Sequence, residues 1–216
     1  MLLKLYLFWT ALVLALAFLA RGASPDNLTR MLVLIFLGCT LLWEHYHPGK
    51  RHGSGRDFVL DASWRALVVE FFYMFSRPVF PSLLHRPGDS WWTLLHHTLL
   101  DWAFTFPAYL LIFSVFWQLL RRYNYGLTAY VILFSAGQAL GDGQAFFLAQ
   151  PLMLPWIPYV MTNYQAINVV PYLRARDALP RARRRGRWWL PLLVIPLTYF
   201  VAGATIQVVG KALGMN

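Results

Sequence analysis

The sequence predicts an all-α bundle of membrane-spanning helices, and three observations predict it. Charged residues make up 13% of the 216 residues and apolar ones 58%, whereas about a quarter of a soluble domain is charged. Apolar runs near the ~20 residues that cross a bilayer recur along the whole chain. The cations collect in alternate connections between those runs, which is the bias that orients membrane proteins. The length allows about six or seven spans and no sizeable soluble domain, so residues 1–216 read as one integral membrane domain.

Leu2–Ala20 is the first span. Lys4, the apolar run and the small residues at Ala20–Ala23 also fit a secretory signal, whose removal would leave six spans instead of seven. Met31–Trp43 is a short second span that runs on toward Glu44 and His45 and is stopped by Pro48 and Gly49. Asp57–Phe80 is the third. Its Asp61 and Arg65 are four residues apart, where they can pair on one helix face. An interfacial placement of this segment would put the basic residues at 50–56 on the opposite side from the later arginine loop, so a span is preferred.

Trp91–Arg122 is long enough to cross with residues to spare, and Pro107 is expected to kink it. Tyr125–Phe147 is rich in small residues, and its Gly137-xxx-Gly141 spacing lets two backbones approach closely. That face is expected to pack a neighbour, a second membrane protein included. Gln150-Pro151 and Pro155 mark a broken start to the sixth span, which ends near Pro171 and holds Asn163, Gln165 and Asn168. Trp188–Gly210 is the seventh, opened by an interfacial tryptophan pair.

Seven spans with a cytoplasmic N-terminus place thirteen Lys and Arg inside and five outside. The expected location is therefore an integral membrane protein of a bacterial inner membrane, N-terminus cytoplasmic and C-terminus outside. The net charge of +10 then reflects loops beside anionic headgroups, above all Arg174–Arg187 with its seven arginines. No nucleic-acid-binding module is present, so nucleic acid is not an expected partner. The single Cys39 excludes an intrachain disulfide.

Ionisable groups within spans point to function, because each must face other helices or a wet cavity. Glu70, His97, Asp101 and Asp142 are the candidate catalytic set, at one depth in the outer half. Thr93, His97, Asp101 and Thr105 recur every four residues and share one helix face. His97 is expected to donate to Asp101, and Asp142, flanked by glycines, to find its partner on another helix. The helices carrying Asp101 and Asp142 are expected to meet, with both carboxylates turned inward. His96, Gln144, Gln150 and Gln207 are candidate ligand contacts. A second cluster, Glu44, His45, His47 and His52, has loose metal-ligand spacing without a tight signature such as HExxH, so no metal is assigned. No cofactor is named. The run Ala139-Leu140-Gly141-Asp142 lacks the first glycine of the GxGD motif of intramembrane aspartyl proteases. The leading expectation is a membrane-embedded site that binds or processes a lipid-like or other apolar small molecule. The alternatives are a non-catalytic subunit of a larger membrane complex and a proton-coupled transporter of small solutes.

Overall fold

The computed structural model describes residues 2–215 except Gly49, Lys50, His52, Gly143 and residues 181–183, together with the side chains of Gln144, Ala145 and Leu148. Seven long helices account for most of it: α1 (Leu2–Arg21), α2 (Pro25–Tyr46), α3 (Gly55–Tyr73), α4 (Trp91–Arg122), α5 (Leu127–Asp142), α7 (Ile157–Ala175) and α8 (Trp189–Ala212). A short helix α6 (Gln144–Ala149) and a 3₁₀ turn Pro151–Trp156 join α5 to α7. The only strands among the described residues are β1 (Tyr123–Asn124) and β2 (Arg184–Arg185), paired in parallel.

Four of the helices, α1, α2, α4 and α8, are long and apolar enough to cross a membrane. The other three fall short for separate reasons. α3 carries Asp57, Asp61, Arg65 and Glu70. α5 has only sixteen residues. α7 has amides and two prolines, but thirteen of its nineteen residues are buried. It packs against α1, α2, α3 and α5. A helix enclosed by protein on most sides need not be apolar, because its polar side chains find partners there.

Local chemistry explains the helix limits. Ser24 caps α2, accepting from the Asn27 N–H at 3.4 Å, with Pro25 in the first turn. The helix therefore starts six residues before the expected Met31. Asn27, within an Asn-x-Thr sequence, is fully buried and donates to the carbonyls of Ala17 and Gly22. α3 stops at Tyr73, short of the expected Phe80, where the chain turns ahead of Pro78 and Pro81. α4 keeps its expected limits. Ser90 caps it, accepting from the Thr93 N–H at 3.2 Å, and Pro107 lies inside without ending it. Gly22, at φ +54°, makes the tight turn between α1 and α2.

The small-residue face of α5 is used within the chain. A side chain at Gly137 would meet the Pro191 carbonyl oxygen at 2.9 Å, and one at Gly141 would meet the Tyr199 Cβ at 2.6 Å. α8 therefore seats against the glycines that the sequence marked for a close neighbour. α4 and α5 touch through Phe116 and Phe134, with ring centroids 5.0 Å apart, but their backbones do not pack. α8 packs on both. The expected direct meeting of these two helices is thus replaced by an arrangement in which α8 lies against each.

Candidate functional site

Three helices of the bundle each carry one carboxylate of the expected set. Glu70 on α3 accepts a hydrogen bond from the Tyr109 hydroxyl on α4 at 2.5 Å. Asp142, at the end of α5, accepts from the Tyr164 hydroxyl on α7 at 2.7 Å. Asp101 on α4 is fully buried, and its Oδ1 accepts from the Val79 N–H at 3.1 Å. Its Oδ2 is buried without a hydrogen-bond partner among the described residues. Asp101 and Asp142 both lie within electrostatic reach of Glu70. Of the three, Glu70 is half-buried and Asp142 is exposed, so the group has an accessible end.

Tyrosines and amides surround them. Tyr199 of α8 accepts from the Gln138 side-chain amide at 2.8 Å, and Gln138 in turn accepts from Asn168. The Tyr199 and Tyr164 rings meet edge to face at 6.2 Å. A phenol that donates to a carboxylate forms a charge-assisted bond, which is stronger than a neutral one. A tyrosine can therefore neutralise much of the cost of a carboxylate inside the bundle without a cation.

The nearest buried cation is Arg30 of α2, which is 5% exposed. It donates to Asn163 and, at 3.4 Å, to the Thr162 hydroxyl. Its guanidinium lies 4.3 Å above the Tyr159 ring, a cation–π arrangement. Asn163 passes the network on to the Tyr73 hydroxyl. Arg30 makes no ion pair among the described residues, although it lies within electrostatic reach of Asp142.

The expected bond from His97 to Asp101 is not formed. The loop between α3 and α4 folds back over α4 and presents the Val79 N–H, which would otherwise be an orphan donor, and Asp101 satisfies it. His97 instead stacks on His85 of that loop, with centroids 6.2 Å apart. His85 sits against the edges of Phe71 and Phe75 and within 3.4 Å of the Thr98 hydroxyl. Burial pushes its imidazole below the usual histidine pKa, and the neighbouring His97 adds to the effect.

The expected ligand contacts make no hydrogen bond to the carboxylates among the described residues. His96, Gln150 and Gln207 are exposed, and the Gln144 side chain lies outside the described residues. Nor do Glu44, His45 and His47 converge. Glu44 pairs with Arg174 at 2.7 Å, His45 meets the Tyr46 ring, and His47 stacks on Trp43 at 4.7 Å. His52 lies outside the described residues. Among the described residues, no three His, Cys, Asp or Glu side chains come together as a metal site. Glu44 belongs instead to an ion-pair network in which Arg174 also reaches Asp61 at 3.2 Å and Asp61 pairs with Arg65 at 2.9 Å. It ties α2, α3 and α7 together at the end of the bundle that holds β1 and β2.

Sequence reasoning missed Arg30 and the tyrosines. Arg30 reads as a loop cation while the second span is started at Met31. Tyr109 had a usable signal, since tyrosines in spanning helices favour the interfaces and this one lies at the middle of α4. No family model, curated protein or solved structure matches this chain.

Proposed function

We propose that the chain is a seven-span membrane protein in which Glu70, Asp101 and Asp142 form an embedded site for a lipid-like or other largely apolar small molecule. The observation that carries this reading is that Glu70 lies within electrostatic reach of both Asp101 and Asp142, with no cation hydrogen-bonded to any of the three among the described residues. Holding such groups inside a bilayer costs about 2.5–3.5 kcal/mol each at a span's centre, and intramembrane ionisable groups are functional by default. Three acidic groups favour a ligand whose polar end donates hydrogen bonds, a hydroxyl or an amine, while aromatic walls hold its apolar body. Asp142, the exposed member, would meet the ligand first. Glu70 and Asp101, deeper in the bundle, would accept or return a proton. In this reading α3, α5 and α7 cross the membrane with the four more apolar helices, and the end that holds β1 and β2 faces the cytoplasm of a bacterial inner membrane.

The test is to purify the protein in mild detergent and analyse its organic extract by mass spectrometry. A small molecule retained by the wild type and lost from both Asp142→Asn and Glu70→Gln supports the reading. Identical extracts from three folded proteins would sink it and favour a non-catalytic subunit. The electrostatic reach of Glu70 to both Asp101 and Asp142 favours a second reading, proton-coupled transport. Proton uptake by proteoliposomes on addition of a solute, abolished by Asp101→Asn, would select it.

A further inference from the structure

A groove of about 470 Å³ lies outside the carboxylate site, between the first turns of α3 and the last turns of α4. Arg56 and Arg121 stand at its outer end, and Val59, Leu60, Leu110 and Trp117 line it. Gly55 lies among the lining residues and lets Trp117 approach the α3 backbone. The Trp117 indole lies directly on Gly55, in space that any Cβ would occupy. Trp117 also packs on Phe58, with centroids 5.5 Å apart, which fixes the floor.

The arginines at its mouth are uncommitted. Both are exposed, and neither forms an ion pair among the described residues. Asp57, the acid next to Arg56, is held by Ser54 at 3.0 Å in the helix cap. Ser114, the polar group midway along, donates to the Leu110 carbonyl at 2.6 Å and needs no other partner. Two cations at the bundle's end and an apolar wall running toward its middle match the polarity of one particular molecule. A phospholipid carries a phosphate at the membrane surface and chains that descend from it. Basic pockets between helices on the cytoplasmic side bind such headgroups, and a guanidinium suits a phosphate through paired N–H donors.

We propose that this groove seats an anionic phospholipid, its phosphate between Arg56 and Arg121 and one acyl chain along Val59, Leu60 and Leu110. The proposal rests on the spanning reading above but not on the carboxylate site. It adds a specific lipid site to the diffuse attraction expected of the arginine loop.

The test uses the full chain in nanodiscs of mixed phosphatidylglycerol and phosphatidylcholine, with retained lipid counted by native mass spectrometry. The wild type should keep phosphatidylglycerol selectively. Arg56→Gln with Arg121→Gln should lower that selectivity roughly tenfold. Arg184→Gln with Arg185→Gln, at the same end of the bundle, should leave it intact, and Arg56→Lys with Arg121→Lys should keep most of it. Selectivity that survives the glutamine pair overturns the site. So does equal loss in the Arg184 and Arg185 pair, which would mean diffuse charge, or displacement by excess inorganic phosphate, which would mean a phosphate site and not a lipid one. A chain that fails to insert overturns the spanning reading and the groove together, whereas an inserted chain without selectivity overturns the groove alone.

Discussion

The Tyr109 hydroxyl of α4 sits 2.5 Å from Glu70 Oε2 of α3 and supplies that carboxylate with its hydrogen bond. Replacing Tyr109 with Phe removes the donor and leaves Glu70 in the bundle with nothing in its place. A hydrogen bond to a charged group contributes about 1.5–3 kcal/mol, and less where the acceptor is half-buried, as Glu70 is. Tyr109→Phe should therefore lower the thermal midpoint in detergent. Glu70→Gln, which removes the charge and keeps the shape, should cost less, and the two changes together should cost less than their sum. Additive losses across this cycle would mean that the contact carries no coupling.

Gly141 gives a steric counterpart. A methyl group there would lie 2.6 Å from the Tyr199 Cβ and 3.0 Å from the Pro196 Cα, and neither neighbour is the free end of a flexible chain. Gly141→Ala should force α5 from α8 and cost about 1–3 kcal/mol, as overpacking does. Because Tyr199 accepts from Gln138, the same shift should disturb the amide network behind the carboxylates. Gly203, with nothing near its absent Cβ, is the control, and Gly203→Ala should not destabilise. Equal thermal midpoints for both variants would show that the α5–α8 contact is looser than its geometry implies.

These two cases show what the sequence could and could not convey. Gly137-xxx-Gly141 announced a close approach, because only small residues allow it, but the partner could not be read from one helix. Asp142 announced a need for a partner, and Tyr164 supplies it from α7. Asp101 pointed to His97 because a four-residue offset is the only contact visible within a helix. The winning donor, Val79 N–H, comes from a loop whose path is set by Pro78, Pro81 and the packing of Phe80 on Phe104 at 5.0 Å. α7 shows the limit of hydropathy. Its amides and prolines weaken its signal as a span, and only its enclosure by four other helices explains why they are tolerated.

His85 lies in that same loop, and its position gives a pH dependence. Burial holds its folded-state pKa below the unfolded value of about 6.5. The unfolded chain therefore binds more protons across that interval, and stability rises with pH. The contribution is fully present above about pH 6.5 and is lost as the pH falls through the folded value. Thermal midpoints measured from about pH 5 to 8 should fall on the acid side, and His85→Gln should flatten that side of the curve. An unchanged acid limb in His85→Gln would assign the dependence to other groups.

Topology supplies the last prediction, because packing fixes which termini and loops share an end of the bundle. β1 pairs with β2, so the segment after Arg122 and the loop before α8 lie together. Arg51 reaches the Leu173 carbonyl at 3.1 Å and Asp177 at 3.4 Å, which brings the α2–α3 connection to the same end. At the other end Asp26 pairs with Arg77 at 2.6 Å, and Gly210 lies against the Phe80 ring. The C-terminal end of α8 is therefore opposite the strand pair. Arg51, Arg56, Arg121, Arg122, Arg174, Arg176, Arg184, Arg185 and Arg187 belong to the strand end, against Arg21, Arg77, Arg86 and Lys211 at the other. On the spanning reading proposed above, the cation bias predicts a cytoplasmic strand end. Reporter fusions after Arg122 and within residues 176–186 should thus report cytoplasm, and one after Gly214 the outside. If the fusion after Gly214 reported cytoplasm while those two also did, α8 would not cross. The carboxylate site would then lose the helix that supplies Tyr199.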